Sequence, residues 1–178
     1  MTKVLIVPGL RNSGPAHWQS WFEALLPETR RVEQADWERP RLDAWAARVG
    51  AAIDACAKPP WLVAHSFGCL ATASAGLTRG TRIRGALLVA PADPARFGEP
   101  VAPLARKLPF PSLVVASAND PWMKSGVAAQ WAEHWGSSFV NIGAAGHINV
   151  DSGHGPWPQG LQFFEQLRTG RLPAADTA

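Results

Sequence analysis

The sequence predicts an α/β fold, a three-layer α/β/α sandwich around a six-stranded parallel sheet. Three observations predict it. Short apolar runs alternate along the chain with segments whose apolar residues recur at helical spacing. Strands that alternate with helices pair in parallel through crossovers, and right-handed crossovers put helices on both faces. Finally, 178 residues, 47% hydrophobic and 17% charged, suit one domain with a buried core. Residues 1–168 are expected to form that domain, with 169–178 a frayed tail.

Each element has its own signal. Residues 3–8 (KVLIVP) read as a fully buried strand. Residues 17–26 place Trp18, Trp21, Phe22 and Leu25 at helical spacing. Residues 29–34 form a short, charged edge strand. Residues 41–57 are a helix with Leu42, Trp45, Val49, Ile53 and Cys56 on one face. Residues 60–65 (PWLVAH) are the third strand, and 67–77 a helix of small residues. Strands follow at 85–90 (GALLVA), 112–117 (SLVVAS) and 138–142 (SFVNI). Helices at 121–135 and 158–167 complete the pattern. In such folds ligands bind beyond the carboxyl ends of the strands, so the loops after the strands are where chemistry is expected.

Composition excludes several function classes. No stretch approaches the length of a membrane span, and the first apolar run is too short for a signal-peptide core, so an intracellular, cytoplasmic protein is expected. The formal charge is +3 and the pI about 9.3. The basic residues are scattered among acids, and the one local excess, Arg79, Arg82 and Arg84, reads as a helix end and loop. No nucleic-acid partner is expected. Cys56 and Cys69 form no CxxC or zinc spacing and read as small buried residues. No metal or organic cofactor is expected, and the oligomeric state is left open. Among nine tryptophans, Trp18, Trp21, Trp45, Trp61, Trp131 and Trp135 fall in predicted elements and read as core. Trp37, Trp122 and Trp157 fall at loops or helix starts and are candidates for lining a site.

The chemistry centres on WLVAHSFGCL, residues 61–70. A strand runs into a serine flanked by small residues at −2 and +2, then into a helix. This is the nucleophile-elbow pattern G-x-S-x-G with Ala64 for the first glycine. The turn is tight, and bulk beside it clashes with neighbouring backbone. It also puts Ser66 at a helix N-terminus, where free amides favour an oxyanion. The competing reading makes Ser66 a plain N-cap. A nucleophilic serine needs a base and an acid, and with this turn the chain order is Ser, acid, His. His147 follows the sixth strand in a small-residue loop and is preferred to His154, a loop residue, and to His134, inside a helix. Asp120 follows the fifth strand and is preferred to Asp93 and Asp151. Asp120 can also cap a helix opening at Pro121. For the oxyanion, the backbone N–H groups of Phe67 and Leu10 are the candidates. The loop after the first strand lacks both phosphate-binding glycine patterns. Gly9, Arg11, Asn12, His65 and Trp122 are candidate substrate contacts.

These segments together resemble a known family. The opening VLIVPGLRNSGPAHWQSWFE, the elbow VAHSFG, the acid loop SANDPW and the closing GHINVDSGHGPWPQG are similar to the compact α/β-hydrolases of the serine hydrolase family that includes retinoblastoma-binding protein 9. The resemblance spans nearly the whole chain. It implies a minimal α/β-hydrolase fold with strand order 2-1-3-4-5-6, and a triad of Ser66, Asp120 and His147. It also implies that the His17-Trp18 pair belongs to the first-strand loop, with His17 either buttressing that loop or starting a helix. The one departure is Ala64, where larger hydrolases carry glycine; it removes no catalytic atom. No L-x-C-x-E motif surrounds either cysteine. The expected activity is hydrolysis of a small-molecule carboxylic ester, or an amide, through an acyl-enzyme. The alternatives are a hydrolase-fold binding or scaffold protein with little catalysis, and an acyltransferase or perhydrolase using the same triad. The proline-rich bridge 91–111 is short for a lid, so a shallow, open site suited to short acyl chains is expected.

Overall fold

A computed structural model describes residues 3–172. The strands are β1 (Val4–Val7), β2 (Thr29–Arg31), β3 (Trp61–His65), β4 (Gly85–Val89), β5 (Ser112–Ala116) and β6 (Ser138–Asn141). The helices are α1 (Trp18–Leu25), α2 (Leu42–Asp54), α3 (Phe67–Arg79), α4 (Ser125–Trp135) and α5 (Pro158–Thr169). The strands form one sheet in the order β2-β1-β3-β4-β5-β6, with every neighbouring pair parallel.

Side chains along a strand alternate between faces, and here both faces are apolar because both are covered. On one face Leu5, Leu62, Leu88 and Val114 pack with residues of α2, α3 and α4. On the other, Ile6, Val63, Leu87 and Val115 pack with Trp18 and Phe22 of α1 and Phe164 and Leu167 of α5. Three layers result, and the helix-starting loops gather at the carboxyl edge of the sheet.

Several boundaries differ from the sequence reading. The fourth predicted helix starts at Ser125 and not at Pro121. The Asp120 carboxylate accepts the Trp122 N–H at 2.8 Å, and Pro121 O accepts from Arg96 Nη1 at 2.8 Å. These bonds fold residues 120–122 into a turn. The edge strand stops at Arg31, three residues early. The last helix runs to Thr169 and ends at Gly170 with φ 68°, whose N–H is bonded back into the helix. Residue 169 thus belongs to the helix, and residues 173–178 of the expected tail lie outside the described residues.

The bridge 91–111 packs onto the fold, and its Ala92 and Phe97 reach the cavity described below. Its Leu104, Leu108 and Phe110 are buried in the α2/α3/α4 layer. Arg79 and Arg82 bond to Asp54 and to the carbonyl of Cys56 at the end of α2, and Arg84 lies over the Trp61 ring. No described helix is long and apolar enough to cross a membrane.

Candidate active site

β3 delivers Ser66 into a turn with φ 53° and ψ −124°. A non-glycine residue at positive φ costs on the order of 1–3 kcal/mol. Close approach of backbone explains the small residues around it. A Cβ on Gly68 would sit 2.5 Å from Pro8 O and inside contact with Val7 O. A Cβ on Gly9 would sit 2.7 Å from Ser66 Cβ and 3.0 Å from His65 O. Gly9 therefore packs directly against the turn and is not among the residues lining the cavity.

Ser66 occupies the N-cap position of α3, yet its side chain makes no cap bond. The hydroxyl faces His147 instead, with Oγ 3.0 Å from Nε2. On the far side of the ring, His147 Nδ1–H donates to the Asp120 carboxylate at 2.9 and 3.0 Å. A carboxylate only accepts, so it fixes the proton on Nδ1 and leaves the Nε2 lone pair toward Ser66. The Asp120 side chain is 2% exposed and that of His147 10%. Bonds between their loops hold the two in register. Ser117 Oγ accepts the Ala145 N–H at 3.0 Å, and Asn119 Oδ1 accepts the Gly146 N–H at 2.7 Å.

The backbone amides of Leu10 and Phe67 have no acceptor among the described hydrogen bonds. Leu10 belongs to a loop in which Arg11 and Asn12 both have φ 64°. Arg31, on the edge strand, ties that loop down. Its guanidinium donates to Asn12 Oδ1, Ser13 O and Ser20 Oγ and pairs with Glu23. The Asn12 carboxamide oxygen is thus committed to Arg31 and to the Ser13 N–H, while Arg11 points outward and pairs with Glu38 at 3.3 Å.

A cavity of about 350 Å³ opens above Ser66. Leu10, Arg11, Asn12, His65 and Trp122 contribute to its wall, as do Phe97 and His17. Trp122 is 52% exposed at the rim, stacked under Arg96 with the guanidinium carbon 5.6 Å from its ring. Trp37 and Trp157 do not line it. Trp37 packs on Trp45, and Trp157 is buried against Trp18 and Phe163. A loop position in the sequence did not mean an exposed ring. His134 is exposed on α4, Asp93 caps a short 3-10 turn through the Ala95 N–H, and His154 is tied to Ser152 Oγ.

Beneath the cavity lies a column of imidazoles. His17 sits 4.9 Å from His65, and His65 4.9 Å from His147, between ring centroids. His17 starts α1 by accepting the Gln19 N–H at Nδ1, and it also walls the cavity. Burial, with smaller contributions from Arg31 and the nearby histidines, lowers its pKa to about 4. Burial likewise holds His65 well below the ordinary histidine value. Both rings are neutral near pH 7. Burial raises the Cys69 thiol well above its usual range. Among the described residues no group of three or more His, Cys, Asp or Glu is placed to hold a metal ion.

Sequence reasoning missed Gln19, Arg31, Ser117 and Asn119. Gln19 is fully buried and bonds Val7 O, Val63 O and Ser13 Oγ. A buried polar residue inside an apolar helical pattern was the available signal.

The serine hydrolase family model matches residues 4–166. The chain belongs to the serine hydrolase family. A YdeN-like hydrolase from Pectobacterium atrosepticum is 38% identical over 97% of this chain and 94% of its own, with a TM-score of 0.88. The ydeN gene product of B. subtilis is 20% identical over 95% and 100%, with a TM-score of 0.79. Est1E from Butyrivibrio proteoclasticus, solved with ferulic acid bound, is 13% identical over 95% and 90%, with a TM-score of 0.72. The last two likenesses show the fold alone. No curated protein sequence matches the chain. This serine hydrolase is thus of the compact α/β-hydrolase type, with six parallel strands in the order of the sheet described above.

Proposed function

We propose that this serine hydrolase cleaves small carboxylic esters, and amides more slowly, through a Ser66–His147–Asp120 triad and an acyl-enzyme. The observation that carries the reading is the 3.0 Å approach of Ser66 Oγ to an imidazole whose other nitrogen is held by a buried carboxylate. Ser66 Oγ attacks the acyl carbonyl while His147 Nε2 takes its proton. The Leu10 and Phe67 amides, unclaimed by other acceptors, receive the developing oxyanion. Collapse expels the alkoxide, protonated by His147. Water then adds by the same route, and the acid leaves with Ser66 restored. Asp120 holds the imidazole tautomer throughout and stabilises the imidazolium.

The cavity of about 350 Å³ carries an exposed ring, Trp122, at its rim. That supports short acyl chains bound against an aromatic edge. Initial rates on p-nitrophenyl acetate, butyrate, octanoate and decanoate test the reading. Acetate and butyrate are expected to turn over fastest, with no activity in Ser66→Ala. Faster turnover of decanoate would overturn the acyl-size assignment, and a fully active Ser66→Ala would overturn the nucleophile.

A further inference from the structure

Among the described non-glycine residues at positive φ, the residue after His147 is the one that is β-branched. Ile148 is β-branched, fully buried and held at φ 48°, where such a side chain is a steric outlier. Left to itself, the backbone would relax to negative φ and carry the neighbouring His147 with it. Inside the loop, the Ile148 N–H donates to Ala145 O at 3.2 Å, and two side chains from elsewhere in the fold hold the carbonyls around it. His65 Nε2 lies 2.9 Å from the carbonyl oxygen of His147. Trp18 Nε1–H donates to the next carbonyl, Ile148 O, also at 2.9 Å. A third bond, from the Trp18 backbone N–H to His154 O at 3.2 Å, anchors the far end of the same loop.

The two donors are themselves braced. A carbonyl can only accept, so His65 carries its proton on Nε2. Its burial beside His17 and His147 keeps it neutral, and the tautomer is fixed by the one bond it makes. His17 meets it edge-on, and the Trp18 ring lies 6.0 Å away at 86°. Trp18 is fully buried between Phe22 and Trp157. His65 is also the residue immediately before Ser66. The bond to His147 O therefore ties the backbone of the base to the strand end that carries the serine.

We infer that His65 and Trp18 are positioning residues: by holding the consecutive carbonyls of His147 and Ile148, they keep the base loop in its strained form and aim His147 Nε2 at Ser66 Oγ. Neither touches the reacting atoms in this role. The inference rests on the triad reading above and adds to it the pair that sets its geometry.

The test uses the full chain and three variants, His65→Phe, His65→Gln and Trp18→Phe. Phenylalanine keeps a ring and removes the donor in both places. Glutamine can return a donor N–H near the Nε2 position. Misplacing the base by a fraction of an ångström to an ångström costs roughly 10- to 100-fold in rate. On p-nitrophenyl acetate, kcat in His65→Phe and Trp18→Phe is expected to fall by about that factor with KM within about twofold. His65→Gln is expected to recover most of the loss. Inactivation by a fluorophosphonate, which needs the same proton transfer, should slow in step. Should Trp18→Phe fold poorly, the His65 pair decides alone. A His65→Phe variant with wild-type kcat and labelling rate would overturn the inference, as would equal losses in His65→Phe and His65→Gln at equal melting temperatures. Failure of the triad itself would look different, since wild type would then show no labelling at all.

Discussion

The turn after β3 and the loop after β6 each hold a non-glycine residue at positive φ, Ser66 at 53° and Ile148 at 48°. They are held by different means. At Ser66 the conformation exists because atoms are missing around it: Gly68 lets Pro8 and Val7 backbone close in, and Gly9 lets the first-strand loop press on the serine. At Ile148 a glycine helps nearby, since a Cβ on Gly146 would sit 2.6 Å from Ser152 Cβ, but the strained residue itself is not small. A full β-branched side chain is buried there, and the backbone is kept in place by donors 82 and 130 residues away from the carbonyls they hold. Strain permitted by small neighbours is local and cheap to encode. Strain enforced by distant hydrogen bonds needs the whole fold to exist first.

The comparison can be broken at several points. The largest effect is expected from Asp120→Asn. The amide keeps an oxygen for the Trp122 N–H, but its NH2 against Nδ1 selects the wrong His147 tautomer. We expect kcat to fall by roughly 10³- to 10⁴-fold, read from ester hydrolysis, with the melting temperature near wild type. A loss of less than tenfold would show that the carboxylate does not orient the base.

Gly68→Ala attacks the other turn by adding a single methyl. With its Cβ 2.5 Å from Pro8 O, the elbow must open, at a cost of about 1–3 kcal/mol in urea unfolding and a clear loss of kcat. Wild-type stability in this variant would mean that the close approach is not what shapes the turn.

The imidazole column beneath both turns gives a pH signature. The folded chain keeps His17 neutral, with its pKa lowered from 6.5 to about 4. Well above pH 6.5 folded and unfolded chains are both neutral there, and the full stability is present. As pH falls toward 4 the unfolded chain takes up the proton first, so stability is lost across that window, by at most about 3 kcal/mol from this group. His17→Asn preserves an N-cap acceptor and should flatten that part of the stability curve measured by denaturant titration. An unchanged slope would contradict the burial of a neutral His17.

The smallest effect is expected at the rim. Trp122→Ala should raise KM for aromatic esters about three- to tenfold through lost ring contact, leaving kcat for the acetyl ester near wild type. Equal KM values in steady-state kinetics would remove Trp122 from the substrate contacts.

Much of the layout was legible. Buried strands announce themselves as apolar runs, and helices by the spacing of Trp18, Phe22, Trp45 and Val49. Ser66, Asp120 and His147 stood out because each closely follows a strand, and the structure brings the three together. What failed to show had a common cause. Asp120-Pro121 reads as a helix opening, but the carboxylate is engaged by Trp122 and His147. Trp37 and Trp157 lie at loops by sequence yet find aromatic partners across the fold. The roles of Trp18, Gln19 and Arg31 depend on partners that only the assembled sheet brings near.

The most direct measurement is the intact mass of wild type and Ser66→Ala after treatment with a fluorophosphonate. One stoichiometric adduct on wild type and none on the variant is the expected result. No adduct on folded wild type, or the same adduct on Ser66→Ala, would contradict an activated Ser66.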